Sequence, residues 1–150
     1  MPTSPNLDPA WWDAWRGVLF ASSRTLARVE RSLEEASGMS LAFLDVMGRL
    51  YDCPDRRLRM QELQERSLFT RSGMTRLVDR VEAAGFVQRE RVPGDRRGVA
   101  VSLTDAGARA YEAGMARHRE DIEREFGTRL TARQQRAVAD ALYAFWHDPE

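Results

Sequence analysis

Lysine is absent from this 150-residue chain, so all 23 of its basic residues are arginine. That bias reads as the mark of a GC-rich coding sequence and assigns no function. Cysteine is nearly absent: Cys53 stands alone, which excludes an internal disulfide, and two histidines, His118 and His147, are too few beside it for a zinc finger. No apolar run approaches the ~20 residues of a membrane-spanning helix. The opening MPTSPNLDPAWW has no basic stretch followed by an apolar segment and a cleavage site, so the expectation is a cytoplasmic protein with no membrane partner. A nucleophile beside a base, or a pair of carboxylates set for acid and base work, is not legible, and GDRRG at 94–98 is too short and basic to cradle a phosphate. The expectation is therefore no enzyme, no cofactor and no metal.

What the chain does contain is an uneven distribution of charge under a net charge of zero. Between Arg56 and Arg97 stand eleven arginines and six acidic residues, a surplus that the rest of the chain cancels. A basic stretch in a neutral protein is either a solvated face or the footprint of an anionic partner, and composition does not choose between them.

Hydrophobic spacing divides the chain into helices. Asp8 followed by Pro9 is a helix start, and periodic sequence continues to Gly38; within it Trp12, Trp15, Leu19, Ser22, Leu26, Val29 and Leu33 step by three and four, the seam of a helix packed along its length against others. Ser40 opens a second helix with Phe43, Leu44, Met47, Leu50 and Tyr51 on one face, closed by a turn at Cys53 to Asp55. A short third helix at Met60 to Ser67 buries Leu63. A fourth runs from near Thr70 to Gly85, with Met74, Leu77, Val78, Val81 and Ala84 on one side and Arg71, Ser72, Thr75, Arg76, Asp79 and Arg80 elsewhere. The period then changes to that of strands, at 86–92 and 99–103, where Val99, Val101 and Leu103 alternate with Ala100 and Ser102. Thr104 caps a fifth helix carrying Ala108, Tyr111, Met115, His118, Ile122 and Phe126, which Gly127 interrupts. Thr131 and Gln134 have capping-box spacing before a last helix presenting Val138, Leu142, Phe145 and Trp146.

A short helix, a turn, an amphipathic helix with a polar outer face and then a hairpin is the order of a winged helix-turn-helix, which lays its second helix in the DNA major groove. Ser72, Thr75 and Arg76 are hydrogen-bonding types on adjacent turns, and Gly73 keeps the approach open. The hairpin tip carries Arg96 and Arg97, and a permanently charged planar guanidinium on a thin loop suits the narrow, negative minor groove. Asp95 would be repelled by phosphate; it reads as an orienter of Arg97 or Arg80.

The segment TRSGMTRLVDRVEAAGFVQRERVPGDRRGVAVSLTDAG, Thr70 to Gly107, resembles the central signature of the MarR family of bacterial transcription regulators. It combines the T-R-L-V-D-R-V-E helix, the A-G-F-V-Q-R exit, the D-R-R wing and the L-T-x-x-G start of the next helix. It departs at Gln64, where many members carry alanine. The resemblance implies a mainly α fold of the α+β kind: a single domain over 1–150, with dimerisation helices at 8–38 and 104–147 around a winged core at 40–103. It implies a homodimer that reads a pseudo-palindromic operator in double-stranded DNA, acts as a repressor and is released by a small aromatic or phenolic effector. By position, Arg71, Ser72, Gly73, Thr75, Arg76 and Arg80 fall on the recognition helix, and Asp95, Arg96 and Arg97 on the wing. The helices that border the family's effector pocket here hold Trp15, Arg16, Leu19, Met47 and Tyr51.

Competing readings are weaker on the residues. A ligand-sensing or protein-interaction dimer of the same fold that does not bind DNA leaves the arginines of helix and wing unexplained. His118 with Asp121 or Glu125 falls short of the three or four ligands a metal site requires and reads as a polar dimer contact. Cys53 has no second cysteine to resolve a sulfenic acid, and reads as a passive thiol.

Overall fold

The computed structural model describes residues 10–65, 71–92, 94–95, 98–143 and 145, and the Arg71 side chain is outside what it describes. The chain divides into two compact units, one of residues 1–32 with 119–150 and the other Leu33–His118. Both divisions fall inside long helices, at Ser32 in α1 (Ala10–Ser37) and at His118 in α5 (Asp105–Glu125). The Asp8–Pro9 helix start lies outside the described residues.

The Leu33–His118 unit holds α2 (Leu41–Tyr51), β1 (Arg57–Arg59), α3 (Met60–Glu65), α4 (Arg71–Ala83), β2 (Val87–Arg91) and β3 (Val99–Leu103). Gly38, at φ 68, ends α1 in the left-handed conformation that glycine adopts without strain, and the Ser40 hydroxyl accepts the Phe43 N–H to start α2. The core is the set of apolar stripes read from the sequence: Phe43, Leu44, Met47 and Leu50 from α2, Leu63 from α3, and Met74, Leu77, Val78 and Val81 from α4. Against these pack Val87, Val101 and Leu103 of an antiparallel sheet in the order β1-β3-β2, with Val101 opposite Leu58 on one side and Arg89 on the other.

Two features of this sheet differ from expectation. The strand β1 has no sequence signal beyond Arg-Leu-Arg, three residues being too short for a period to show. It exists because β3 offers a free edge, and it makes β3 the central strand. The expected alternation also fails along β3: Ala100 is buried along with Val101 and Leu103, while Val99 is exposed. Val99 pairs with Arg91 at the loop end of the hairpin, away from the core.

In the other unit, the Thr131 hydroxyl and Gln134 side chain close the expected capping box at the start of α6 (Ala132–Leu142). A single 3-10 turn, Gly127–Arg129, replaces the interruption expected at Gly127, and Gln135 ties it to α6 by donating to the carbonyls of Gly127 (2.9 Å) and Leu130 (3.2 Å). Arg28 of α1 pairs with Glu125 of α5 at 2.6 Å and, by this hydrogen bond and its charge, holds the Glu125 carboxyl below the ordinary glutamate range, with Arg124 adding to the effect. Among the described residues of this unit, Val29 is the one buried apolar side chain, whereas Trp11, Trp12, Trp15, Leu19, Phe20 and Leu26 are exposed. The seam read from the sequence is thus present but largely uncovered. In α6, Val138 is exposed and Leu142 half-buried; Phe145 is exposed, and Trp146 lies outside the described residues.

Candidate nucleic-acid interface

The α4 helix is amphipathic in the sense that a groove-binding helix requires. Met74, Val78 and Val81 have no exposed surface and fix one side against α2 and the sheet, so the remaining side is presented outward on a rigid support. Ser72, Thr75, Arg76, Asp79 and Arg80 are exposed there, and Gly73 is half-buried. The Arg80 guanidinium lies 5.3 Å from the Phe43 ring centroid, a cation–π contact that draws it toward α2. Ser72, Thr75 and Arg76 stand in the N-terminal half of α4 with their side chains exposed.

The β2–β3 loop is closed by backbone hydrogen bonds. Val92 N–H donates to the Gly98 carbonyl (3.0 Å), Asp95 N–H to Val92 (3.1 Å) and Gly98 N–H to Asp95 (3.1 Å). Two glycines permit it: Gly94 takes φ 81, and a Cβ on Gly98 would lie 2.6 Å from the Asp95 carboxylate. Arg96 and Arg97, the two cations expected at the tip, lie outside the described residues. Asp95, read as an orienter of Arg97 or Arg80, pairs with Arg59 of β1 at 3.2 Å.

Comparison with known proteins supplies the family. The MarR family model matches residues 37–98, from the end of α1 through the wing. The HTH-type transcriptional repressor YetL of Bacillus subtilis is 30% identical over 100 residues, 67% of this chain. The chain spans about 60% of that repressor's length. Among solved structures, Sco3205, a MarR family transcriptional regulator from Streptomyces coelicolor in complex with DNA, superposes with a TM-score of 0.81 at 28% identity, covering 97% of this chain and 92% of that one. AbsC, a MarR family transcriptional regulator from the same organism, gives a TM-score of 0.80 over 97% of both chains at 22% identity, a likeness of fold. The chain belongs to the MarR family.

For a MarR-family chain the positions expected to border an effector pocket are distributed between the two units. Trp15, Arg16 and Leu19 are exposed on α1 in one unit, and Met47 and Tyr51 stand one turn apart on α2 in the other. Met47 is wholly buried in the core. The Tyr51 hydroxyl donates to Glu112 at 2.7 Å, its ring lies 4.9 Å from that of Tyr111, and Arg56 stacks over it at 4.9 Å. That hydrogen bond, and then the Glu112 charge, hold the Tyr51 phenol above its ordinary pKa, with Arg56 pulling the other way. A cleft of about 400 Å³ opens beside α2, walled by Leu44, Asp45, Arg49, Tyr111, Met115 and His118. Cys53 is half-buried and its thiol donates to the Arg49 carbonyl at 3.2 Å. Among the described residues no three histidine, cysteine, aspartate or glutamate side chains gather as metal ligands.

Two arginines that pair with the β2–β3 loop and with α4 carried no sequence-based expectation. Arg59 becomes visible only through β1. Arg89 falls within the quoted A-G-F-V-Q-R motif, yet its partners, Thr75, Asp79 and Glu82, are recognisable as one stripe only once α4 is known to face β2.

Proposed function

We propose that this protein is a homodimeric, sequence-specific DNA-binding regulator of transcription, a repressor that a small aromatic or phenolic acid releases from its operator. The observation that carries the reading is the two-sidedness of α4. The stripe of Met74, Leu77, Val78 and Val81 is buried, and the opposite side offers Ser72, Thr75 and Arg76 to solvent at the half of the helix that enters a major groove. In this reading Arg71, Arg76 and Arg80 meet phosphates or base edges, Gly73 lets the backbone approach, and Arg96 and Arg97 of the wing meet the adjacent groove, with Asp95 holding the loop. Two copies would set two α4 helices one helical turn apart, about 34 Å, matching a pseudo-palindrome. An effector would act by favouring a dimer with a different spacing, and its differential affinity for the two states is the whole of its leverage.

Sequencing the DNA that the purified protein retains from the fragmented source genome tests this directly, with enrichment of a pseudo-palindrome as the expected result. Indifference to every duplex in dilute buffer would remove the proposal. Calorimetric titration with salicylate, with and without operator, tests the effector; no heat and no change in operator affinity would dismiss it.

A further inference from the structure

We infer that Arg89 is a positioning residue that locks the recognition helix to the wing, and that without it the protein still binds DNA but no longer discriminates its sequence. The inference rests on the DNA-binding reading above and concerns how its two contact elements are kept in register.

The geometry is a clamp from strand to helix. Arg89 lies on β2 with its side chain only 25% exposed, and the side chain's partners among the described residues are on α4. One terminal nitrogen reaches the Asp79 carboxylate at 2.7 Å and donates to the Thr75 carbonyl at 3.3 Å; the other donates to Glu82. The second Glu82 oxygen accepts the backbone N–H of Arg89 itself at 2.8 Å, so Glu82 is gripped by side chain and main chain together. Thr75, Asp79 and Glu82 follow the i, i+4, i+7 spacing of one helix stripe, so a single planar fork spans two turns of α4.

What the clamp adds becomes clear from the other bonds between α4 and β2. The C-terminal end of α4 is already held by the chain itself, through the Gly85 turn at φ 77 and the bond from Phe86 N–H to the Val81 carbonyl at 3.1 Å. These fix where the helix ends and leave its rotation about its own axis to the core and to Arg89. The Thr75 carbonyl, two turns earlier, belongs to the part of α4 that would face bases. A bond from β2 to that carbonyl sets the roll of the helix against the strand that leads into the wing. Sequence readout depends on that roll, because a base-edge hydrogen bond fails beyond a few tenths of an ångström, while phosphate attraction tolerates the error.

Neutralisation is the simpler role that the arrangement also permits, since Asp79 is exposed and would repel phosphate if uncovered. The triple variant Asp79→Asn, Glu82→Gln, Arg89→Gln separates the two: it removes the acidic charges together with the clamp.

The test uses the full chain, the duplex the wild type enriches and an unrelated duplex of equal length, titrated across salt, with folding followed by circular dichroism and thermal melting. For Arg89→Gln the enriched duplex is expected to bind about tenfold or more weakly, the size of losing a hydrogen bond to a charged group. The unrelated duplex should keep its affinity within about twofold, with an unchanged salt slope, because no phosphate contact is lost. Arg89→Lys, which keeps the charge without the fork, and the triple variant should both stay weak on the enriched duplex. Full rescue by either would overturn the clamp in favour of simple neutralisation, and a salt slope lower by about one would overturn it in favour of direct phosphate contact. Hydrogen exchange adds a readout that needs no DNA: amides around Thr75 should exchange faster in Arg89→Gln, and unchanged protection would overturn the clamp. Should Arg89→Gln not fold, Glu82→Ala removes both bonds to that carboxylate and is read in the same way. A wild type that binds no duplex would defeat the DNA-binding reading instead, while the exchange result would still decide the clamp.

Discussion

The carboxylate of Asp95 lies 3.2 Å from the Arg59 guanidinium, so the loop joining β2 to β3 is tied back to β1, the strand on the opposite side of β3. Glu62, in the first turn of α3, accepts the Arg59 backbone N–H at 2.7 Å and fixes the base of that tether. The wing is thereby held from two directions, by its own backbone turn and by a side chain from the far edge of the sheet.

Both partners of this pair are about half exposed, so its expected contribution to global stability is below about 1 kcal/mol. Its effect is local. Arg59→Ala is expected to leave the urea midpoint almost unchanged while speeding hydrogen exchange at Val92, Asp95 and Gly98. Exchanging the two charges, Arg59→Asp with Asp95→Arg, should restore protection. Equal exchange in all three proteins would mean that the backbone turn alone shapes the loop.

Gly107, in the first turn of α5, permits a close approach of the helix to the turn after α4. A Cβ there would lie 2.0 Å from the Phe86 carbonyl oxygen, which already accepts the Thr104 N–H at 3.0 Å. Gly107→Ala must push α5 away from the turn after α4, and a loss of about 3 kcal/mol is expected. Thr104→Ala, which removes the hydroxyl that accepts the Gly107 N–H, should cost about 1 kcal/mol, an ordinary cap loss. Denaturant titration of both variants checks the order, and a glycine substitution milder than the cap would contradict the packing described.

Tyr51 supplies a pH-dependent contact. Its proton is held more tightly in the folded chain, by the hydrogen bond to Glu112 and that carboxylate's charge. The pair therefore stabilises the fold fully below the unfolded phenol pKa of ~10, and the contribution disappears as pH rises through the raised folded value. In an ultraviolet titration of tyrosinate, Glu112→Gln should move one of the three tyrosines to lower pH. A superimposable curve would show that the bond does not form in solution.

The helices of this fold that were legible in the sequence share one property, a repeating apolar stripe long enough to fix its period. The faces of α2 and α4 are of that kind, whereas the Thr131–Gln134 box was legible as a local pair at i, i+3 and the hairpin as two β-rich runs about a turn. The strand β1 escaped notice because three residues show no period and its pairing is entirely non-local. Arg59 and Arg89 escaped for the same reason: an ion pair between residues 36 or 7 positions apart leaves no trace in spacing. The exposed side of α4 was legible as chemistry, since Ser72, Thr75 and Arg76 follow from the buried stripe by subtraction. Which neighbour each polar side chain takes was not.

The α1 seam leads to the last expectation. Trp12, Trp15, Leu19 and Leu26 keep the three-and-four spacing of a packed helix, yet each remains about half exposed, at 51%, 52%, 47% and 50%. Water is a poor environment for such a row, and burying each of these side chains is worth about 1–2 kcal/mol. The described residues of their own unit supply little to cover them, since Val29 is the one buried apolar side chain there. A second copy offering the same face would satisfy the pattern with self-complementary geometry, as a two-fold interface requires. Sedimentation of the wild type is therefore expected to give twice the chain mass at micromolar concentration, with tryptophan emission shifted to shorter wavelength than in the free amino acid. Leu19→Glu with Leu26→Glu should yield a monomer with red-shifted emission and weakened binding to any two-site operator, while a single half-site duplex loses less. A wild type that stays monomeric would leave the row of tryptophans without a purpose and would remove the dimer from the proposed function, since two α4 helices can be held one helical turn apart only if something joins them.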